Sequence, residues 1–332
     1  MPKSVSIIGL IVGLFLTVGL LVWSDIGQVL QSLSTAGFGL LLVFFLAPPE
    51  AMLSAEAWRR LFPDERRPAY WQTLRASWMG AAVNALLPVA TIGGEMVKAR
   101  VLMLGKMPGN DVVAATIVDK TVQAIVILVW GLIGLLVLAC LAPDENLLWG
   151  GLISASLFGF GIAGFIWAQL AGSFSFLAKS GARLMQRSSG EGEPASSHDL
   201  DQAIRAVYRR PGVIAKSAAL RLTSQIWLVS EVLLATYLLG HAVGLEEAIM
   251  LRALIGAVRG FSFVIPAGLG LQEGAYIALG ALIGLPADVM LALSLASRLR
   301  EIGPNIPFLI AWQHLEGGQL WRWFKTKSSA FA

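Results

Sequence analysis

The sequence predicts an all-α fold: a polytopic helical membrane protein, built as an inverted repeat of two halves, each with three spans and one re-entrant helical pair. The first observation is composition, since 56% of residues are hydrophobic and only 14% are charged, against about 25% charged in soluble domains. The second is a motif that recurs at a constant offset, and the third is the segregation of lysine and arginine into alternate loops. Together they predict a single membrane domain over 1–332, with halves at about 1–142 and 143–320.

Hydrophobic runs define the spans. A helix needs about 20 mostly apolar residues to cross the hydrocarbon core. The predicted spans are 5–23, 36–57, 112–141, 147–170, 217–239 and 288–312. Two further apolar segments, 70–105 and 248–285, are interrupted by proline and glycine. Interfacial anchors are expected at the predicted ends, namely Trp23, Trp58, Trp71, Trp149 and Trp321.

Basic residues orient these spans. Fifteen of the 25 lysines and arginines lie at Lys3, in 58–68, in 171–216 and after Glu316. The loops 24–35, 142–147 and 240–247 carry none. By the positive-inside rule, the basic set faces the cytoplasm, and so do both termini.

The interrupted segments must then enter from opposite sides. The 70–105 segment starts and ends on the cytoplasmic side, whereas 248–285 starts and ends outside. Each half makes three crossings, and an odd number inverts the second half relative to the first. The cytoplasmic loop 171–216 is inserted in the second half, and its middle has the composition of a disordered linker. Its basic, partly apolar flanks are explained either by topology or by contact with the membrane surface.

The repeated motif lies on the two interrupted segments. Each copy is an apolar run broken by proline and glycine with a carboxylate just after the break, LLPVATIGGE and VIPAGLGLQE. The aligned pairs, 178 positions apart, are Pro88 with Pro266, Glu95 with Glu273, Pro108 with Pro286, and Lys120 with Arg298. Broken hydrophobic segments at matching places in two halves are typical of a transport site at the repeat interface.

The breaks predict polar cavities. Proline and glycine free backbone groups, which in a membrane must be buried in protein or line a wet cavity. A half-helix that begins after Gly93-Gly94, or after Gly268–Gly270, would point N–H groups into that cavity and favour an anion such as a phosphate. Two interpretations of Glu95 and Glu273 stay open: capping of those helices, and a direct functional role.

Ionisable residues at membrane depth are further candidates. Such a group costs about 2.5–3.5 kcal/mol to insert, so it faces protein or water and pairs. Asp119 and Lys120 point about 100° apart on one helix, so each needs a separate partner. We expect Glu95 to be the partner of Lys120.

A purely structural network of ion pairs is the alternative to a substrate site at these residues. Arg298 and Glu301 are three residues apart and are expected to pair on one helix face. Lys106 and Arg252 are expected at the membrane interface. Arg221, Glu231 and Arg259 are weaker candidates. The candidate substrate-binding and transport residues are Asn84, Pro88, Gly93, Gly94, Glu95, Lys98, Arg100, Asp119, Lys120, Arg259, Pro266, Gly268, Gly270, Glu273, Arg298 and Glu301.

Other functions find no support in the sequence. Cys140 is the only cysteine, which excludes a disulfide framework and a thiolate metal site. The histidines His198, His241 and His314 lie in separate segments. No nucleophile elbow, P-loop or dinucleotide fingerprint is present, and the basic loops fit topology better than a nucleic-acid interface. We therefore expect no enzymatic activity, no cofactor, no metal and no nucleic-acid partner.

The same residues resemble the transmembrane region of the lysylphosphatidylglycerol synthase family, a flippase-like domain. The matching stretches are WRRLF at 58–62, NALLPVATIGGEMVKAR at 84–100, VDK at 118–120 and PAGLGLQEGAYIALGALIGLP at 266–286. The resemblance implies a multi-pass protein of the bacterial inner membrane that moves lipids or lipid-linked head groups between leaflets. The length and ending also resemble a stand-alone branch associated with hopanoid-biosynthesis genes.

The sequence departs from this family in two ways. In the bifunctional relatives a soluble C-terminal domain transfers lysine to phosphatidylglycerol. This chain ends at Ala332, so we expect no synthase activity. Lys120 stands where many relatives have arginine, which keeps the charge but loses bidentate phosphate recognition.

A lipid flippase or scramblase is the leading functional hypothesis, with membrane lipids carrying anionic or lipid-linked head groups as its partners. A non-transporting membrane partner that scaffolds lipid-biosynthesis enzymes of the hopanoid type is the alternative. A membrane-embedded transferase is a third reading, and the protein could act as an oligomer.

Overall fold

The structure, a computed structural model, is helical throughout the part of the chain that it describes. The described residues are 31, 34, 36–87, 92–141, 145–171, 197–261 and 270–315. Within them every regular element is an α-helix or a 3₁₀-helix, which confirms the all-α class. The predicted span 5–23 lies outside the described residues.

The first described span changes helix type in its middle. A 3₁₀-helix over Gly37–Leu46 continues as α1 (Ala47–Arg60). Pro48 and Pro49 fall in the first turn of α1, where a missing N–H costs no helical hydrogen bond. The two prolines therefore coincide with a change of helix type and do not break the span.

The helices α2 (Tyr70–Leu86) and α3 (Ile92–Leu104) pack closely against each other. The Gly94 N–H donates to Asn84 Oδ1 at 2.8 Å. A Cβ on Gly94 would overlap the carbonyl oxygen of Gly80, so the two backbones touch at this crossing. With 13 residues, α3 is about 20 Å long, too short to cross a bilayer.

The helices α4 (Gly109–Leu141) and α5 (Glu145–Leu170) follow and pack against each other. At the two ends of α5, Trp149 and Trp167 are 65% and 72% exposed. The 18 residues between them correspond to about 27 Å of helix, close to the thickness of the hydrocarbon core. These two tryptophans therefore mark the two membrane interfaces.

The other predicted anchors in the described residues differ. Trp71, at the start of α2, is exposed as expected. Trp58 was expected at the interface, but this prediction is wrong, because the side chain is fully buried and packs edge to face on Phe62. The sequence position at a helix end did not reveal that neighbouring helices cover that end.

The helix α6 (Ser197–Tyr208) lies in the predicted loop 171–216. Its buried side chains Leu200, Ile204 and Val207 join a core with residues of α1 to α4. Protein thus covers the apolar face of this flank, and contact with the membrane surface is not the explanation for it.

A buried polar contact ties α6 to the spans. Tyr208 Oη donates to Gln169 Oε1 at 2.9 Å, and Gln169 Nε2 donates to Thr121 Oγ1 at 2.8 Å. Burial raises the pKa of Tyr208, which keeps the phenol protonated as a donor. The end of α5, the middle of α4 and α6 therefore meet at one level, just past the Trp167 interface.

The second-half span is built from α7 (Pro211–Trp227) and α8 (Val229–Leu238), with a turn at Leu228. Side chains at the two ends of α7 fix this span to the end of α1 and to the preceding 3₁₀-helix. Arg210 donates to the carbonyls of Leu61 at 2.8 Å and Phe62 at 3.1 Å, and Trp227 Nε1 donates to the Leu46 carbonyl at 3.0 Å.

The last helices are α9 (Leu245–Phe261), which packs on α4, then α10 (Leu271–Leu282) and α11 (Ala287–Ile302). The predicted span 288–312 is distorted at Pro304, as its prolines predict. A 3₁₀-turn over Gly303–Asn305 follows α11, and helical turns resume over 306–315. Pro304 in that turn explains the break, because it cannot continue the hydrogen-bond ladder.

Four helical stretches among the described residues are long and apolar enough to cross a membrane. They are Gly37–Arg60, Gly109–Leu141, Leu148–Leu170 and Pro211–Leu238. Each matches a predicted span. The protein is therefore a multi-pass membrane protein. Its described residues form two hydrophobic cores, and α4 contributes to one core with each half of its length.

Substituting Gly94→Ala should destabilise the protein, because the added methyl group overlaps the Gly80 carbonyl oxygen and must separate α2 from α3. Overpacking of this kind costs about 1–3 kcal/mol, so the unfolding temperature in detergent should fall by several degrees. Gly161→Ala on α5, where nothing lies within 4 Å of the new carbon, is the control. Equal unfolding temperatures for the two variants would contradict the close crossing.

Candidate functional site

Five charged side chains from three helices form a first ion cluster: Glu95 and Lys98 on α3, Asp119 and Lys120 on α4, and Arg221 on α7. Lys120 Nζ lies 2.7 Å from Glu95 Oε1, and Lys98 Nζ lies 2.7 Å from Glu95 Oε2. Asp119 receives Lys98 Nζ at 2.8 Å and Arg221 at 2.6 Å. The expected pairing of Lys120 with Glu95 is confirmed, and Asp119 has the separate partners that its position required.

The centre of this first ion cluster is sealed from solvent. The Asp119 side chain is 0% exposed and that of Lys98 is 6% exposed. The Lys98 ammonium also lies 4.6 Å from the centroid of the Trp58 ring. A ring face attracts a desolvated cation, which explains why Trp58 is buried here.

A second ion cluster lies in the second half of the chain. Arg300 Nε is 2.9 Å from Glu231 Oε2, which Arg252 approaches at 4.0 Å. Arg259 pairs with Glu301, which also lies 3.5 Å from Arg300. Arg252 was expected at the membrane interface, but its side chain is only 11% exposed and points to this cluster.

Glu273, at the start of α10, caps that helix, which is one of the two interpretations that its sequence position left open, and it also pairs with an arginine. Its Oε2 accepts the N–H of Gly270 at 2.7 Å, so it caps the helix, and Gly270 has the left-handed φ of 78° that favours glycine. Its Oε1 accepts from Arg298 Nε at 2.7 Å and from Ser294 Oγ at 3.4 Å. Arg298 was expected to pair with Glu301, and Glu273 is the carboxylate that the structure places against it.

The repeat reappears in these contacts. Glu95 with Lys120 and Glu273 with Arg298 are both separated by 25 positions, and both form ion pairs, at 2.7 and 2.6 Å. The 178-position offset of the repeat aligns Lys98 with Tyr276 and Asp119 with Ser297. Tyr276 Oη and Ser297 Oγ lie 3.0 Å apart, where Lys98 and Asp119 lie 2.8 Å apart. The two half-sites share a geometry, and at this pair of positions they differ in chemistry.

In each cluster, one basic side chain is more exposed than the other basic side chains. The Lys120 side chain is 36% exposed and that of Arg259 is 32% exposed, whereas Arg221, Arg252 and Arg300 are nearly buried. Each cluster carries three basic and two acidic side chains, hence one excess positive charge. A partly exposed cation is suited to an anionic ligand.

The remaining predicted site residues lie as follows. Asn84 and Gly94 form the α2–α3 crossing, and Gly93 lies beside it in the first turn of α3. Arg100 is partly buried on α3, about 200° around the helix from Lys98. Pro88, Pro266 and Gly268 lie outside the described residues.

The sequence reasoning missed Tyr276, Ser297 and Arg300, and ranked Arg221 too low. Extending the 178-residue offset from Glu95 to Lys98 and Asp119 would have found the first two. Arg221 carried no signal, since its partner Asp119 is 102 positions away. An apolar groove of about 450 Å³ between α4 and α5, lined by Leu132 and Phe160 among others, includes no member of either cluster.

The fold and the clusters define a class of protein: a multi-pass helical membrane protein with paired charges buried between its helices. The family model for the lysylphosphatidylglycerol synthase TM region matches residues 7–306. The chain therefore belongs to this family and is a membrane protein with a lipid-related role. Searches of curated proteins and of solved structures found no match.

Asp119→Asn should destabilise the protein strongly, because it leaves the buried Lys98 and Arg221 with less negative charge than they need. Removing one member of a buried ion network costs about 3–5 kcal/mol, to be measured as a lower unfolding temperature in detergent. The control is Asp64→Asn, since Asp64 is 73% exposed and pairs with Arg67. Such surface pairs contribute about 0–1 kcal/mol. If Asp119→Asn lowers the unfolding temperature no more than Asp64→Asn does, the buried ion pairs assigned to Asp119 are refuted.

Proposed function

We propose that this protein is a lipid flippase or scramblase of the bacterial inner membrane, in which polar head groups cross through the helix bundle while the lipid tails stay in the bilayer. The observation that carries the proposal is the pair of buried ion clusters, each with an excess positive charge and one accessible cation. The family's lipid-related role supports a lipid as the ligand. No catalytic step is part of the proposal.

Lys120 is the proposed head-group contact in the first ion cluster. Its ammonium has three donors, and its partners are Glu95 and Gln123, both at 2.7–2.8 Å. A lipid phosphate would compete with Glu95 for this ammonium. Glu95 would remain held by Lys98 at 2.7 Å, so the exchange leaves no unpaired buried charge. Arg259, released from Glu301, would act in the same way in the second ion cluster.

The depth of the clusters supports this interpretation. Thr121, next to Lys120, bonds to Gln169, which lies two residues past the interfacial Trp167. The first ion cluster therefore lies near the head-group level of one leaflet. Arg221 and Glu231, one from each cluster, are ten residues apart on α7 and α8, or about 15 Å along the helix axis. The clusters thus offer two positions at different depths for a polar head group.

Movement by this route would be passive or coupled to an ion gradient, because the sequence contains no nucleotide-binding motif. The proposed orientation places both termini in the cytoplasm. The first ion cluster, at the Trp167 end of α5, would then face the cytoplasmic leaflet.

Reconstitution in vesicles tests the proposal. Leaflet exchange of fluorescent phosphatidylglycerol and phosphatidylcholine is followed by quenching the outer leaflet with a membrane-impermeant reagent. Wild-type protein should accelerate exchange over empty vesicles, and Lys120→Gln should slow it by roughly tenfold, which corresponds to about 1.4 kcal/mol. Lys216→Gln, an exposed lysine on α7, should change the rate by less than about twofold.

The two main alternatives predict different results. No acceleration for phospholipids, lipid-linked sugars or hopanoids would overturn the proposal. A scaffold for lipid-biosynthesis enzymes would then be favoured if an enzyme co-purified with the protein through the loop 171–216. Formation of a modified lipid by the purified protein would instead indicate a membrane transferase.

A further inference from the structure

The members of the first ion cluster form an unbranched series of alternating charges. The order is Lys120, Glu95, Lys98, Asp119 and Arg221, with contacts of 2.7, 2.7, 2.8 and 2.6 Å. One end, Lys120, is partly accessible, and the other end, Arg221, is nearly buried on α7. Four ion pairs therefore connect an accessible cation to a nearly buried arginine on another helix.

This series passes from one half of the chain to the other. Its first four members belong to the first half, and Arg221 belongs to the second half. The second ion cluster is different, since Glu231, Arg252, Arg259, Arg300 and Glu301 all lie in the second half. The series that ends at Arg221 thus joins the two halves of the chain by charge.

The repeat shows that this connection is not required by the fold. The counterpart of the Lys98 and Asp119 pair is the neutral Tyr276 and Ser297 pair, which has nearly the same separation. A neutral pair satisfies its own hydrogen bond, whereas Asp119 Oδ1 also accepts from Arg221 Nε at 3.1 Å and from Arg221 Nη2 at 2.6 Å. The charged version thus adds two hydrogen bonds from the opposite half.

We propose that Arg221 is a positioning residue that couples head-group binding at Lys120 to the packing of the second half on the first. This inference rests on the proposed function. An anion at Lys120 displaces Glu95, which then relies on Lys98 alone. Lys98 in turn contributes less to Asp119, and Asp119 depends more on Arg221. Coupling is reciprocal, so a change at Arg221 must alter the affinity of Lys120 for an anion.

The sign of the effect follows from the same series. Without Arg221, Asp119 draws Lys98 more strongly, so Glu95 turns to Lys120 and competes better with an incoming phosphate. Arg221→Gln should therefore weaken binding of an anionic lipid by roughly fivefold or more. The effect should disappear in the Lys120→Gln background, because Glu95 then has no ammonium at position 120 for which to compete with the phosphate.

The experiment is a double-mutant cycle on the full chain in detergent, with phosphatidylglycerol as the probe and phosphatidylcholine as the neutral comparison. Its corners are wild type, Lys120→Gln, Arg221→Gln and the double variant. A second cycle replaces Arg221→Gln by Arg252→Gln, which removes an equally buried arginine of the second ion cluster. The second cycle should be additive to within about twofold, because Arg252 belongs to the second ion cluster and not to the series that contains Lys120.

Two further measurements separate coupling from loss of structure. A merely structural role lowers the unfolding temperature of Arg221→Gln without selectively weakening the affinity for phosphatidylglycerol. Arg221→Lys keeps the charge with a single donor group, should fold if Arg221→Gln does not, and should restore most of the affinity.

The outcomes are distinct. Equal effects of Arg221→Gln in both Lys120 backgrounds, or equal coupling with Arg252→Gln, would overturn the proposal. Non-additive binding without leaflet exchange would support the coupling and reject the proposed transport. Leaflet exchange with additive binding would reject the coupling alone.

Discussion

The constraint on which the structure depends is the burial of Asp119. A carboxylate with no exposure inside a membrane protein must be compensated on every side, and Lys98 and Arg221 supply that compensation. Both can reach it only if α3, α4 and α7 converge at one point. The close crossing of α2 and α3 at Gly80 and Gly94 places α3 there. The contacts of α7 with α1 hold the opposite helix at the same level.

Much of this fold could be predicted, because the membrane reduces the possibilities to helices of known length. Composition and loop charge located the four membrane-spanning stretches among the described residues, and the need of Lys120 for a partner predicted its pairing with Glu95. Tertiary proximity set the rest. Arg221 lies 102 positions from Asp119, and Trp58 is covered by neighbouring helices, with Lys98 above its ring. Neither fact leaves a periodic signal in the sequence.

At the helix ends, too, some features could be predicted from the sequence and others depended on tertiary contacts. The hydrophobic run over 288–312 predicts a membrane segment, and Pro304 within it predicts the interruption that the structure has at Gly303–Asn305. No proline or glycine predicts the turn at Leu228 between α7 and α8. Glu273 was correctly suspected of capping a helix, since a carboxylate three residues after a glycine suits the first turn. Its second contact, with Arg298, required the fold.

Stability alone does not account for the two ion clusters. A buried ion pair contributes little to the free energy of folding, and apolar side chains of similar volume would often be as stable or better. The neutral Tyr276 and Ser297 pair shows that this framework accommodates such a replacement at one of its two equivalent positions. The charges at Lys98 and Asp119 therefore need a reason beyond packing. Lys120 is accessible at one end of the series, and Arg221 joins Asp119 to the opposite half at the other. An anion that enters at Lys120 therefore changes the electrostatic balance that joins the two halves.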